Sequence, residues 1–276
     1  MNKTKIDWCD STWNPVTGCL HGCEYCYARS IAERFKPFDL PHLTEDGVFK
    51  NLNDLKEPIK TVCEDGKERI CAYPYGFEPT FHKYRLNDYI GKKGRNIFVC
   101  SMADLFGEWV PDSWIEEVFK ACGNASQHNY LFLTKNPQRY LDLQRKGKLP
   151  ERDNMWYGAS VTDEESLRKV ADIFSDMSGD IKTFFSVEPI LEDITMTEIW
   201  NDCVVCHFMD WVIIGAETGR RRDKVIPDKA WIRSIYFDCY GSHNDIPVFM
   251  KSSLADIWGE PLIQEFPMEL KQGGAQ

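Results

Sequence analysis

Residues 13–28 read WNPVTGCLHGCEYCYA and place Cys19, Cys23 and Cys26 at the spacing C-x3-C-x2-C. Three thiolates can hold three irons of a [4Fe-4S] cube, whereas a closed cube or a structural zinc ion takes four protein ligands. Gly18 and Gly22 favour a tightly curled loop that aims the three side chains at one cube. The stretch therefore predicts a metal site with one iron left open to a small-molecule ligand.

Two other interpretations of this loop stay open. His21 or Cys9 would complete a four-ligand zinc site, although zinc sites usually combine two C-x2-C pairs. The three cysteines could instead be unligated core thiols.

A second zinc site or cluster is a weaker prediction, because one C-x2-C pair supplies only two sure ligands, and free thiols are preferred there. Its ligands would come from Cys63, Cys71, Cys203, Cys206, His207 and Cys239.

Composition limits the class of protein. The chain has 276 residues, of which 43% are hydrophobic, enough for one barrel-sized domain spanning residues 1–276. The net charge of -10 and the pI near 5.2 argue against a protein that coats nucleic acid through bulk positive charge. Eleven cysteines without an apolar leader indicate a reducing compartment, and no apolar run approaches the roughly 18 residues that span a bilayer. We expect a soluble, cytoplasmic protein without a membrane partner.

Short apolar runs alternate with helical segments, which is typical of a parallel sheet covered by helices. Six strand–helix units and a last strand favour a partial (β/α)6 TIM-like barrel over an eight-fold one. The predicted strands are 11–16, 97–101, 130–134, 155–161, 183–187, 211–215 and 246–250. The predicted helices are 24–34, 111–125, one from 137, one from 162 to about 177, and 227–240.

Two segments depart from this alternation. Residues 36–95 form a long insertion after the first helix, predicted to be a lid or subdomain or else a cover for the barrel end. Residues 260–276 are polar and rich in glycine, so this tail is expected to fray.

Polar residues stand where the predicted strands end. Parallel barrels place their chemistry at the carboxyl ends of strands, so these side chains are expected to converge on one mouth. For each of them, an ordinary surface position is the alternative. They are Ser101, Asp104, Thr134, Lys135, Ser160, Glu188, Glu217 and Lys251.

The cysteine spacing, with Tyr25 directly before Cys26, resembles the radical S-adenosylmethionine (SAM) superfamily. Further segments, running to about residue 252, resemble successive motifs of the phage Gp37/Gp68 family (DUF5131), which is regarded as radical SAM-like. Some of its members are linked with a three-Cys-motif partner protein. The matching segments are Trp13 to Cys19, IFVCSMADLF (97–106), FLTKNP (132–137), FSVEPI (185–190), DWVIIGAETG (210–219) and Ile246 to Lys251.

The resemblance implies a barrel of the radical SAM type, in which Cys19, Cys23 and Cys26 hold a [4Fe-4S] cluster and SAM chelates the fourth iron. One electron, from a reductant such as flavodoxin or ferredoxin, would cleave SAM to a 5'-deoxyadenosyl radical that abstracts hydrogen from a substrate. Tyr25 would lie beside the adenine, and Asp104 would hold the SAM ammonium.

A more distant resemblance is to spore photoproduct lyase, a radical SAM enzyme that repairs a thymine dimer. It implies that Ser101, Lys135 and Ser160 contact SAM, and a cation with two hydroxyls suits the carboxylate and ribose of that molecule. It also implies that Cys100, which stands where the phage family would have asparagine, donates hydrogen; a buried core cysteine is the alternative. Glu188, Glu217 and Lys251 are candidates for substrate contact or proton transfer.

A basic loop, residues 219–224, follows a predicted strand end. Together with Lys92, Lys93, Arg95 and Lys135 it favours a nucleobase, nucleotide or nucleic-acid substrate, against the alternative of a solvated loop. The competing interpretations of function are a radical SAM enzyme acting on a peptide or small metabolite, and a non-enzymatic zinc-binding module.

Overall fold

A computed structural model describes residues 4–37, 53–62, 66–196, 199–200, 203–204, 209–219, 221–240 and 246–270. Its helices are α1 (Tyr27–Arg34), α2 (Asp112–Asn124), α3 (Gln138–Arg145), α4 (Glu164–Asp176), α5 (Lys229–Tyr240) and α6 (Ala255–Trp258). Its strands are β1 (Ser11–Trp13), β2 (Val16–Thr17), β3 (Asn53–Leu55), β4 (Lys60–Val62), β5 (Glu68–Ile70), β6 (Thr80–His82), β7 (Asn96–Val99), β8 (Asn129–Thr134), β9 (Met155–Val161), β10 (Lys182–Val187), β11 (Ile199–Trp200), β12 (Cys203–Val204), β13 (Val212–Ile214) and β14 (Val248–Met250).

The main sheet has seven parallel strands in the order β1-β7-β8-β9-β10-β13-β14, so each strand pairs with the next one that joins the sheet. The sheet curls into a half-barrel, which confirms the predicted α/β fold with a parallel, barrel-like sheet. Helices α2, α3, α4 and α5 lie between successive strands. Among the described residues, no helix has both the length and the apolar composition needed to cross a membrane.

The connection from β10 to β13 differs from the predicted six strand–helix units. Within its described part, the short antiparallel pair β11–β12 stands in place of a helix. Ile199, Trp200 and Val204 are residue types that favour strands, which agrees with this outcome.

Helix α1 begins at Tyr27, three residues later than predicted, because residues up to Cys26 belong to the cysteine loop. Helix α4 is capped by Asp163, one residue after the predicted Thr162. Its carboxylate accepts from the backbone N–H of Ser166, whose hydroxyl accepts in return from the N–H of Asp163.

The inner face of the half-barrel is filled by one apolar cluster, separate from the larger core between sheet and helices. Glycine at position 158 is part of this packing, since a Cβ there would lie 2.3 Å from the Phe184 ring. The cluster forms an apolar layer below the carboxyl ends of the strands. Its buried members are Trp8, Cys9, Phe98, Leu131, Trp156, Phe184, Trp211, Ile213, Phe249 and Leu270.

Residues 260–270 do not fray as predicted for the tail 260–276. The Glu265 N–H donates to the Val248 carbonyl at 3.0 Å, and the Leu270 carbonyl accepts from the Asn96 side chain at 2.8 Å. Leu270 itself is buried in the inner cluster, so apolar side chains hold this part of the tail in place. Residues 271–276 lie outside the described residues.

The described part of the insertion is joined to the barrel through the sheet β2-β6-β3. Phe81 on β6 is fully buried, and its ring lies 5.2 Å from that of Trp114 on α2. Residues 38–52 and 63–65 lie outside the described residues, and the role of the insertion as a lid stays a prediction.

His82 fixes β6 to β2, the strand that leads into the cysteine loop. Its Nε2 lies 2.8 Å from the Thr17 hydroxyl, and its Nδ1 lies 3.1 Å from the Tyr84 hydroxyl. Burial lowers the pKa of His82 to about 3, and the charge of Arg85 adds to that shift. The imidazole is therefore neutral in the folded protein at neutral pH.

This burial predicts a pH dependence of stability. An unfolded histidine has a pKa of about 6.5, so below that pH the unfolded chain binds one more proton than the folded chain. Stability should then fall as the pH drops, by about 1.4 kcal/mol per pH unit from this group. Urea unfolding should show the difference in unfolding free energy between wild type and His82→Gln shrinking by this amount from about pH 6 to about pH 5. A difference that stays constant over this interval contradicts the assignment.

Candidate functional site

A cavity of about 520 Å³ opens at the carboxyl ends of the main strands. Trp8, Phe98 and Leu133 contribute apolar surface to it. Among the residues that the sequence assigns to the cluster, to SAM and to the substrate, only Cys100 does not line it. Those that line it are Cys19, Cys23, Tyr25, Cys26, Ser101, Asp104, Lys135, Ser160, Glu188, Glu217 and Lys251.

The cysteine loop has the tight curl expected from its glycines. Gly18 has a φ of +86°, and a Cβ there would lie 2.2 Å from the Glu78 carbonyl oxygen, so no larger residue fits. The loop ends where the Cys26 thiol caps α1 by accepting from the Arg29 N–H at 3.4 Å. Backbone sterics and the start of a helix thus fix both ends of the loop.

All three cysteines of the loop are free thiols on the wall of one cavity. Burial raises the pKa of Cys19 to about 12, and the charges of Asp104, Cys23 and Cys26 add to it. A bound metal ion would lower the pKa of Cys19 again, since metal coordination deprotonates a thiol. Three thiols suit a cube, in which each cysteine binds a different iron.

Within the described residues, no three His, Cys, Asp or Glu side chains are gathered about a position for a single metal ion. The two alternative fourth ligands have other contacts. His21 Nε2 lies 2.7 Å from an Asp104 oxygen, and its ring lies edge-on to Trp109 at 4.8 Å. Cys9 is buried in the inner cluster, where its thiol donates to the Ile6 carbonyl at 4.0 Å.

Lys135 reaches across the cavity to the cysteine loop. Its ammonium donates to the Tyr25 hydroxyl at 2.8 Å and lies 5.0 Å from the centre of that ring. Burial lowers the pKa of Lys135, but Tyr25, Cys23 and Asp104 outweigh it, so the net pKa is raised. A cation is therefore held at Tyr25 of the cysteine loop, as an anionic ligand there would require.

Asp104 hydrogen-bonds the chain around it, and its contact with the SAM ammonium stays a prediction. Its buried carboxylate accepts from the Thr134 hydroxyl at 2.8 Å and from the backbone N–H groups of Phe106 and Lys135, both at 3.0 Å. With His21 added, these partners take up the roughly four acceptor sites of a carboxylate. Asp104 thereby connects the loops that follow β2, β7 and β8.

Two further carboxylates at the mouth each have a cation. Glu188 and Lys251 form a direct hydrogen-bonded ion pair. Glu217, whose side chain is 2% exposed, accepts two hydrogen bonds from Arg221, at 2.9 and 2.8 Å. Arg221 also reaches Glu24 of the cysteine loop at 3.1 Å. Arg221 therefore serves three carboxylates, since it also pairs with Asp223 at 3.6 Å.

A family model described as "Protein of unknown function (DUF5131)" matches residues 3–266. The chain belongs to the DUF5131 family. Searches of curated proteins and of solved structures found no match. The predicted DUF5131 resemblance is thus confirmed, and the resemblances to the radical SAM superfamily and to spore photoproduct lyase stay predictions.

Cys100 of this DUF5131 protein does not line the cavity. Its thiol is buried in the core between sheet and helices, and burial raises its pKa to about 12. The alternative of a core cysteine fits this position better than the predicted hydrogen donor. Cys100 also has a φ of +59°, a left-handed conformation that asparagine adopts more readily, which gives a physical reason for the asparagine expected there.

The basic residues that favour a nucleotide or nucleic-acid substrate lie on separate elements, and that substrate stays a prediction. Arg95 directly precedes β7, and its carbonyl accepts from the N–H of Asn129 at the start of β8. Lys92 and Lys93 come shortly before Arg95 in the chain, at the amino end of β7, whereas the cavity lies at the carboxyl ends of the strands. Arg221 is held by carboxylates, and Arg220 lies outside the described residues.

The candidate second metal site stays a prediction. Cys63, Cys206 and His207 lie outside the described residues, and Cys203 lies on β12. Cys71 is a buried free thiol, and Cys239 is buried in the core.

Sequence reasoning missed two parts of the cavity. Ser186 lies two residues before Glu188, and the period of two along a strand could have placed both on one face. The segment from Lys5 to Trp8 also lines the cavity, and Asp7 accepts from the Ser252 N–H at 2.8 Å. This contact joins the ends of the half-barrel, for which no local sequence pattern exists.

The Asp104 contacts predict a stability effect. Asp104→Asn replaces one acceptor oxygen by a donor and leaves buried N–H or hydroxyl groups unpaired, which should lower the unfolding free energy by about 1–3 kcal/mol. Asp153→Asn, the same change at an exposed residue, should stay within about 0.5 kcal/mol of wild type. Urea denaturation measures both, and equal effects of the two variants would refute the network.

Proposed function

We propose that this DUF5131 protein is a radical SAM enzyme that acts on a nucleobase, nucleotide or nucleic acid. Cys19, Cys23 and Cys26 would hold a [4Fe-4S] cluster with SAM beside it. Such a cluster supplies the electron that reductively cleaves SAM and so generates a hydrogen-abstracting radical. The observation that carries the proposal is the convergence of three free thiols, Tyr25 and Lys135 on one cavity at the carboxyl ends of a parallel sheet.

The residues of this chain would orient SAM and exclude water. Lys135 would pair with the SAM carboxylate, since its ammonium is held at the cysteine loop by Tyr25. The hydroxyls of Ser101 and Ser160, both on the cavity wall, would bind the ribose. The apolar surface of Trp8 and Phe98 keeps the inner end dry, which protects a reactive intermediate from side reactions.

The substrate end of the cavity would be formed by the strand ends that follow β10, β13 and β14. Glu188, Lys251 and Glu217 stand there as groups that could bind substrate or move a proton. A peptide or small-metabolite substrate, and a non-enzymatic zinc-binding module, are the competing functions.

The proposal predicts that anaerobically reconstituted protein forms 5'-deoxyadenosine from SAM when dithionite, or reduced flavodoxin or ferredoxin, is added. Cys19→Ala, Cys23→Ala and Cys26→Ala should each reduce the product to background, because each removes a ligand of the cube. Cys122→Ala should form product at a rate close to wild type, since Cys122 is a buried residue of α2 and does not line the cavity.

Colourless protein with stoichiometric zinc and no 5'-deoxyadenosine would overturn this function in favour of the zinc module. Product formation without any salt-sensitive binding of oligonucleotides would keep the radical SAM activity but favour a peptide or metabolite substrate over a nucleic acid.

A further inference from the structure

Glu188, Gly215 and Lys251 form a row across three neighbouring strand ends, following β10, β13 and β14. The sheet ladder continues through them, because the Gly215 N–H donates to the Val187 carbonyl at 3.0 Å and the Lys251 N–H donates to the Ile214 carbonyl at 2.9 Å. The three residues therefore stand at one level of the sheet. We call them the Glu188–Lys251 row.

Gly215 leaves room for the ion pair in this row. A Cβ at position 215 would lie 3.0 Å from Lys251 Cδ and 3.1 Å from a Glu188 carboxylate oxygen. The carboxylate and the ammonium thus meet above the bare backbone of the central strand. Because the row is built on three strands of the sheet, its two charged groups have fixed positions.

The paired groups still face the cavity, with side chains 23% exposed for Glu188 and 18% for Lys251. An ammonium has three donors and a carboxylate has about four acceptor sites, and their mutual bond uses one of each. The row therefore presents a donor next to an acceptor. A planar group with a carbonyl oxygen beside an N–H is complementary to that pattern.

The charge balance around the row disfavours a phosphate. Lys251 and Arg221 together face four carboxylates, those of Glu188, Glu217, Glu24 and Asp223, so these ion pairs carry a net negative charge. A phosphate placed at the row would bring its negative charge against Glu188, at a cost that grows away from bulk water. A neutral ligand leaves the ion pair intact.

We infer that the Glu188–Lys251 row is a binding subsite for a neutral amide edge, as in a lactam, a carboxamide or a pyrimidine base. The inference rests on the proposed function only in treating this wall as the substrate side of the cavity. Binding at the row itself requires neither SAM cleavage nor a metal.

Equilibrium dialysis with uracil as the probe tests the subsite, on both purified and metal-reconstituted protein. Uracil should bind, and 1,3-dimethyluracil, which has the same ring without N–H donors, should bind about tenfold more weakly or worse. Glu188→Gln and Lys251→Met should weaken uracil binding by a similar factor. Asp153→Asn, which makes an acid-to-amide change at an exposed position, should bind uracil as wild type does.

The inference is overturned if uracil does not bind, if 1,3-dimethyluracil binds equally well, if the two row variants bind like wild type, or if inorganic phosphate displaces uracil. These outcomes are separate from the fate of the proposed function. Uracil binding without 5'-deoxyadenosine formation would refute the proposed radical chemistry and support the subsite. Formation of 5'-deoxyadenosine without uracil binding would refute the subsite and leave the radical chemistry.

Discussion

The carboxylate of Asp104 holds together the half of the cavity that carries the cysteines. It is buried, so it must be fully hydrogen-bonded to be tolerated, and its partners lie in the loops after three different strands. One of them, His21, stands between Cys19 and Cys23, and another is the backbone of Lys135. The relative position of thiols and ammonium is therefore set by the folded chain before any ligand enters.

The half of the cavity that carries Glu188 and Lys251 depends on the register of the sheet. In-register parallel strands bring Glu188 and Lys251 together although they are far apart in the chain, and Gly215 gives the pair its space. The two halves share the apolar layer that Trp8 and Phe98 help to form. The proposed radical chemistry would need such an enclosed site, because the reactive atom must meet one C–H bond and no water.

Much of the fold could be predicted from the sequence because each main strand is a short apolar run bounded by polar residues. The same pattern placed Lys135, Glu188 and Lys251 at one edge. What could not be predicted depends on distant contacts. The His21–Asp104 pair joins residues 83 positions apart, the tail is held by Leu270 in the inner cluster, and Arg95 lies at the amino end of β7. Local composition carries no information on such contacts.

The central claim is that three cysteines leave one iron of a cube open beside Lys135. Mössbauer spectroscopy of iron-57-enriched protein, recorded with and without SAM, tests it most directly. The account predicts a [4Fe-4S] cluster in which the spectrum of one iron changes when SAM is added and the others keep theirs. A spectrum that SAM leaves unchanged, or protein that binds zinc and no iron under anaerobic reconstitution, would contradict it.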